Sequence, residues 1–241
     1  MMATRMRARG LFITGTDTEI GKTFVTAAMI RALRGAGVAA LAMKPIASGG
    51  HATAQGLRNA DALALIEAMG SAAPDYAQVN PYVFAEPIAP HIAARNAAVE
   101  INLAPIVAAY RQLSAHADVL LVEGAGGWSI PLSDQLMLAD LPRALDLPVL
   151  LVVGVRLGCI NHALLSARAI RDDGLAFAGW VANTVDSSLP QTDAVIDTLT
   201  RHLGPPLAVL PRNPSAAVLA AALTGWLQSI GSPPPRSLLS E

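Results

Sequence analysis

The chain has 241 residues, is 53% hydrophobic but only 4% aromatic, and carries a formal net charge of −1. That length suits one α/β domain or two small ones, with enough apolar content for a substantial core. The even charge, with no block of one sign, excludes broad nucleic-acid or membrane-surface binding, and the single cysteine, Cys159, excludes an internal disulfide or a cysteine-cluster metal site.

Residues 1–9 hold Arg5, Arg7 and Arg9 and read as a basic, frayed start. A signal peptide would need a longer apolar stretch before the glycine loop that follows, and with a single cysteine a reducing, cytoplasmic setting fits best. A strand is expected over 11–14. Next comes Gly15-Thr16-Asp17-Thr18-Glu19-Ile20-Gly21-Lys22-Thr23, and then a helix over 22–34. Phe24, Ala27, Ala28 and Ile30 form its apolar face, and Gly35 and Gly37 end it. A strand over 38–43 and a helix over 60–69 follow. The stretch 71–98 contains Pro74, Pro81, Pro87 and Pro90 and reads as a long loop, a feature that in compact domains is often functional. Beyond it the pattern gives a helix at 103–115, strands at 119–123 and 149–153, and a helix at 161–172. A strand at 178–183, a helix at 192–202, a strand at 207–210 and a helix at 216–230 complete the series. The longest apolar run, 149–153, is far short of the roughly 20 residues a membrane helix needs and reads as a buried parallel strand. Residues 231–241, with Pro233-Pro234-Pro235, read as a flexible tail. The alternation predicts a single domain over 10–230, with a mostly parallel sheet and helices on both faces. Ligands then bind outside the carboxyl ends of the strands.

The glycine loop between strand and helix points backbone N–H groups at an anion, with the helix dipole behind them. Lys22 supplies a point charge for terminal phosphates and Thr23 a hydroxyl for Mg²⁺. Five residues separate Gly15 from Gly21, where the usual motif has four, and Thr16 takes the place of the first glycine. The fold class is therefore of P-loop NTPase type. Where ATPases that position plasmids or division sites carry a signature lysine and two glycines, this chain has Asp17, Thr18 and Glu19.

Lysine itself is informative. Of 17 Lys and Arg residues only Lys22 and Lys44 are lysine. A lysine that persists in such an Arg-rich chain is one whose compact, rotatable charge a planar guanidinium cannot replace. Lys44-Pro45 ends the second strand, on the same sheet edge as the glycine loop. Glu123 ends the run Asp118-Val-Leu-Leu-Val and precedes Gly124-Ala125-Gly126-Gly127, where a carboxylate would hold nucleotide-bound Mg²⁺. By spacing alone Asp61 is an ordinary acidic residue in the first turn of a helix. Trp128 and Trp180 read as packing residues.

Several segments together resemble the ATP-dependent dethiobiotin synthetases. They are the glycine loop, Lys44-Pro-Ile-Ala-Ser-Gly, Gly56-Leu-Arg-Asn-Ala-Asp-Ala-Leu, Val79-Asn-Pro-Tyr, Pro90-His-Ile-Ala-Ala, Val122-Glu-Gly-Ala-Gly-Gly-Trp, Gly154-Val-Arg-Leu-Gly-Cys-Ile-Asn-His-Ala and Gly179-Trp-Val-Ala-Asn. The resemblance runs from about Gly10 to Pro211. It implies that ATP drives CO₂ (or bicarbonate) onto 7,8-diaminononanoate and closes a ureido ring, giving dethiobiotin, ADP and phosphate. It implies a catalytic Lys44 and a nucleotide site of Glu19, Ile20, Gly21, Lys22, Thr23, Phe24, Asp61, Glu123, Gly124, Ala125, Gly126, Asn183, Thr184 and Pro211. Thr23, Asp61 and Glu123 would hold Mg²⁺, and Thr18 and Ser48 would meet the substrate. Leu157, Gly158, Cys159, Ile160 and Asn161, at a helix start, would hold the substrate's far carboxylate across a homodimer interface. After Pro211 the chain departs from the family pattern, with Ser215 where a glutamate near the ribose is expected.

Two other classes compete. An ATP-dependent amidotransferase of the same fold would usually carry a further glutaminase domain. A nucleotide-switched, partner-binding ATPase would carry the missing signature lysine and would not need Lys44.

Overall fold

The computed structural model describes residues 9–186 and 188–211. Residues 1–8 of the basic start, the expected helix over 216–230, the segment containing Ser215 and the proline tail lie outside the described residues. The chain enters through strand β1 (Arg9–Gly15) and helix α1 (Lys22–Gly35) and returns in β2 (Ala40–Met43). It then runs through short pieces: β3 (Ile46–Ala47), a hairpin of β4 (His51–Thr53) and β5 (Gly56–Arg58), α2 (Ala60–Met69), α3 (Tyr76–Val79), β6 (Tyr82–Val83) and α4 (Pro90–Asn96). Next are α5 (Leu103–Ser114), β7 (Val119–Glu123), α6 (Asp140–Leu145), β8 (Val149–Val155), α7 (Cys159–Asp172), β9 (Phe177–Thr184), α8 (Thr192–Leu203) and β10 (Ala208–Leu210).

Six strands form one sheet in the order β10-β9-β8-β1-β7-β2, and every pairing in it is parallel. The expected parallel α/β architecture is present. β8 explains why. All seven of its residues are buried, as a strand covered on both faces requires. Leu151, Val153 and Val155 pack with Cys159, Ala163 and Ala167 of α7 and Ile196 and Leu199 of α8. Leu150 and Val152 point the other way, into the larger core that includes Ile13, Met29 and Leu121. Trp180, fully buried, joins the first cluster, and Trp128, 3% exposed, the second. Burying side chains of this size contributes about 1.5–3 kcal/mol each.

Two expectations are corrected. Phe24 is 41% exposed; Ala27, Ala28 and Ile30 are buried as expected, and Val25, Met29 and Leu33 complete the buried face of α1. The stretch 71–98 is not a structureless loop. It contains α3, β6 and α4, and Pro90 stands in the first turn of α4, where its missing N–H costs nothing. The helix α6 went unpredicted because it has six residues and an internal Pro142, too short for periodicity to register. Among the described residues no helix is long and apolar enough to cross a membrane.

Candidate functional site

The parallel sheet aims its carboxyl ends at one crevice. Gly15 ends β1 there, Glu123 ends β7 beside it, and Lys44 follows β2 one strand further out. The loop after β1 turns sharply. Glu19 and Gly21 both take left-handed backbone conformations, with φ of 58° and 83°. A Cβ at Gly21 would collide with the Asn183 side-chain amide. That amide donates to the Ile20 carbonyl at 2.7 Å, so the next strand but one beyond β1 holds the loop down. Ile20 itself is fully buried. The Lys22 ammonium curls back and donates to the Asp17 carbonyl at 2.7 Å. The Asp17 carboxylate is paired with Arg156, just past β8, so a second latch ties the loop to the sheet.

Around Lys44 the charges are packed closely. Its Nζ donates to Glu123 Oε1 at 2.6 Å and to the Gly124 carbonyl at 3.1 Å, and it lies 3.1 Å from Asp61 Oδ2. Thr23 Oγ1 donates to the same Glu123 oxygen at 2.7 Å. Glu123 Oε2 is buried with no hydrogen-bond partner. The structure thus brings Lys22, Thr23, Lys44, Asp61 and Glu123 together. For Asp61 the geometry agrees with what the resemblance implies rather than with spacing alone. That residue does sit in the first turn of α2, capped by the Asn59 side chain accepting from the Asp61 and Ala62 amides, but its carboxylate faces Lys44.

Burial pulls the Lys22 pKa down to about 8; repulsion from Lys44 adds to this, while Glu123, Asp61 and Asp17 oppose it. For Lys44 burial also opposes charge, but Glu123 and Asp61 together outweigh it and hold the pKa above the ordinary lysine value. Burial would raise Asp61, yet Lys44, Thr23 and Lys22 outweigh it and hold this carboxyl below its usual range. The two shifts favour the ionised forms of Lys44 and Asp61.

The remaining predicted positions line the same edge or lie apart from it. Ser48 Oγ is buried without a partner. Gly126, at φ 64°, faces Thr18 across the crevice: a Cβ there would lie 3.8 Å from Thr18 Oγ1. Gly124 packs so tightly on Phe12 that a Cβ would approach it to 3.0 Å, and Ala125 follows it half-buried. Thr184 ends β9, and Pro211, just past β10, is exposed. Leu157, 89% exposed, precedes Gly158, whose φ of 90° starts α7; Cys159 is buried, Ile160 half-buried and Asn161 exposed.

Asp17, Arg156, Asn59, Tyr76 and Asn80 have no role in the sequence reading, yet each shapes the site. Asn59 stands directly before a helical period and carries a recognisable capping signal. The others are separated in sequence from the groups they hold, and spacing gives no sign of them.

Parallel strands whose carboxyl ends converge on a lysine-bearing glycine loop define a P-loop nucleotide-binding protein. In keeping with this, a family model described as an AAA domain matches residues 9–218. The MinD cell division protein of Aquifex aeolicus shares the fold, with a TM-score of 0.55 over 92% of this chain and 97% of that one, at 15% identity. Much closer in sequence is the ATP-dependent dethiobiotin synthetase BioD of Pseudomonas aeruginosa (strain UCBPP-PA14), 54% identical over 91% of this chain and 97% of its own. That of Xanthomonas oryzae pv. oryzae (strain PXO99A) is 50% identical over 90% of this chain and 97% of its own. The chain belongs to the ATP-dependent dethiobiotin synthetase family.

Proposed function

We propose that this protein is an ATP-dependent ligase of biotin biosynthesis that joins CO₂ to 7,8-diaminononanoate and closes the ureido ring of dethiobiotin. One amine takes up CO₂ as a carbamate. A carbamate oxygen attacks the γ-phosphorus of ATP, ADP leaves, and a carbamic-phosphoric anhydride forms. The second amine then attacks the carbamoyl carbon and displaces phosphate, losing its proton as the ring closes. No protein nucleophile is needed.

One observation carries the reading: a second lysine, 3% exposed, stands beside the phosphate loop with its charge already desolvated. A carbamate and a triphosphate repel one another, so the barrier falls when preorganised cations cancel that charge and align the reacting oxygen. Lys22 and the loop amides would hold the β- and γ-phosphates. Lys44 would neutralise the carbamate and the phosphoryl group in transit, with Thr18 and Ser48 flanking the substrate. Asn183 and Thr184 would face the base, with Phe24 and Pro211 at its rim, and Gly124, Ala125 and Gly126 would let nucleotide and substrate approach the backbone.

The donor set suits Mg²⁺. Thr23, Asp61 and Glu123 offer hard oxygens, and two carboxylates with room for phosphate oxygens is the usual pattern for this ion. The unpartnered Glu123 Oε2 is a free acceptor in that set. When bound, Mg²⁺ would supply charge neutralisation at the phosphates. Among the described residues no cluster of three or more His, Cys, Asp or Glu forms a metal cage, so the phosphates themselves would complete the coordination. We further propose that residues 10–230 act as one catalytic domain, that the enzyme works as a cytoplasmic homodimer, and that Leu157–Asn161 of one subunit holds the substrate carboxylate of the other.

The test is ADP release by the purified protein with ATP and Mg²⁺, with and without diaminononanoate plus bicarbonate, alongside mass-spectrometric detection of dethiobiotin. Turnover should depend on both compounds. Turnover indifferent to them would refute the reading.

A further inference from the structure

Lys44 lies just beyond β2, which is the outermost strand of the sheet. The outer side of such a strand has no strand to pair with, and its last residues would be free to drift. Here the segment Val79-Asn80-Pro81-Tyr82 takes that place. The Lys44 N–H donates to the Val79 carbonyl at 2.8 Å. In a parallel ladder the Lys44 carbonyl would then accept from residue 81, but Pro81 has no N–H to give. The Asn80 side chain fills the gap: its Nδ2 donates to the Lys44 carbonyl at 2.6 Å and to the Tyr82 carbonyl at 3.0 Å. Both amide hydrogens are thereby used, and Asn80 is only 2% exposed.

The remaining atoms extend this grip into a closed ring. Asn80 Oδ1 accepts from the Tyr76 hydroxyl at 2.8 Å, and that oxygen accepts the Asn59 N–H at 2.8 Å. Asn59 Oδ1 accepts the Asp61 N–H at 3.0 Å, while Asn59 Nδ2 donates to the Ser48 carbonyl at 3.0 Å. The Asp61 carboxylate meets the Lys44 ammonium, where the ring closes. The Arg58 guanidinium stacks on the Tyr76 ring, 4.1 Å from its centre, and fixes the ring plane. The ring touches Lys44, Ser48 and Asp61 but neither Lys22 nor Asn183.

We infer that Tyr76 and Asn80 are positioning residues that hold Lys44, Asp61 and Ser48 in register for phosphoryl transfer to the bound carbamate. This assignment rests on the functional reading above. Tyr76→Phe keeps the ring and removes one acceptor and one donor. It should lower kcat roughly ten- to hundred-fold, the effect of a small misplacement of a reacting group, and leave the Kd for ADP without Mg²⁺ within about twofold because the phosphate loop is untouched. Asn80→Ala should give the same split more strongly.

A second readout needs no turnover. With only Lys22 and Lys44 in the chain, protein labelled with ¹⁵Nζ-lysine gives two ammonium signals, and the Lys44→Gln variant identifies which belongs to Lys44. In Tyr76→Phe the Lys44 signal should move, and the Lys22 signal, which feels Lys44 only through its charge, should move much less. An unmoved Lys44 signal overturns the inference, whether or not kcat falls. A Lys22 shift as large as that of Lys44 also overturns it, because that marks general loosening. Since the signals are recorded without substrate, they decide the positioning role even if the wild type makes no dethiobiotin, an outcome that would refute the functional reading instead.

Discussion

Lys44 and Glu123 form an ion pair in a place where water contributes little: their side chains are 4% and 0% exposed. Such a pair gains little net stability over apolar packing, but removing one partner leaves a buried charge without compensation. In protein free of metal and nucleotide, Lys44→Gln should therefore lower unfolding stability by about 3–5 kcal/mol, measured by urea denaturation. Adding Glu123→Gln should recover most of the loss, because the stranded carboxylate is gone. A Lys44→Gln protein as stable as wild type would mean that Glu123 finds another partner. The same pair bears on function. Both carboxylates that would take Mg²⁺ face the Lys44 ammonium, so metal binding would exchange that partner for the ion.

Among the elements, the phosphate loop is held from outside. Its left-handed turn at Gly21 leaves the Ile20 carbonyl buried, and Asn183 at the end of β9 supplies its hydrogen bond. Asn183→Ala should strand that carbonyl at a cost of about 1–3 kcal/mol and loosen the loop. Amide exchange at Gly21 and Lys22 should quicken, and ADP should bind several-fold more weakly. Unchanged exchange with weakened ADP binding would assign Asn183 to the base alone and remove its role as a latch. The elements also differ in how openly the sequence declares them. β7, β8 and α7 are long, and their apolar patterns are unmistakable. α3, β6 and α4 are stabilised by what they touch, and their prolines disguise them as loop.

At the scale of the molecule, the segment Leu157–Asn161 lies at the start of α7 with Leu157 almost wholly exposed, and Leu165 on the same helix is 57% exposed. Large apolar side chains left in water beside a proposed ligand site suit a surface that a second subunit covers. Leu157→Asp should shift the protein toward monomer in sedimentation and raise KM for the diamine while leaving ADP affinity unchanged. A monomer with wild-type KM would end the idea of a shared site. The likeness to MinD, at 15% identity, extends to the fold alone.

The sequence by itself determined the parallel α/β layering and the phosphate loop, and it singled out both lysines. Each of these is written locally, as a period, a glycine-bounded turn or a choice between lysine and arginine. Only the tertiary structure shows what Asp61, Asn80 and Tyr76 touch. Asp61 reads as a helix-start acid until folding sets its carboxylate 3.1 Å from Lys44. Asn80 reads as the residue before a proline until it supplies the donor that Pro81 lacks. Their roles depend on distances between residues far apart in the chain, and those distances are fixed by the packing of α2 and the 76–82 segment against the sheet edge.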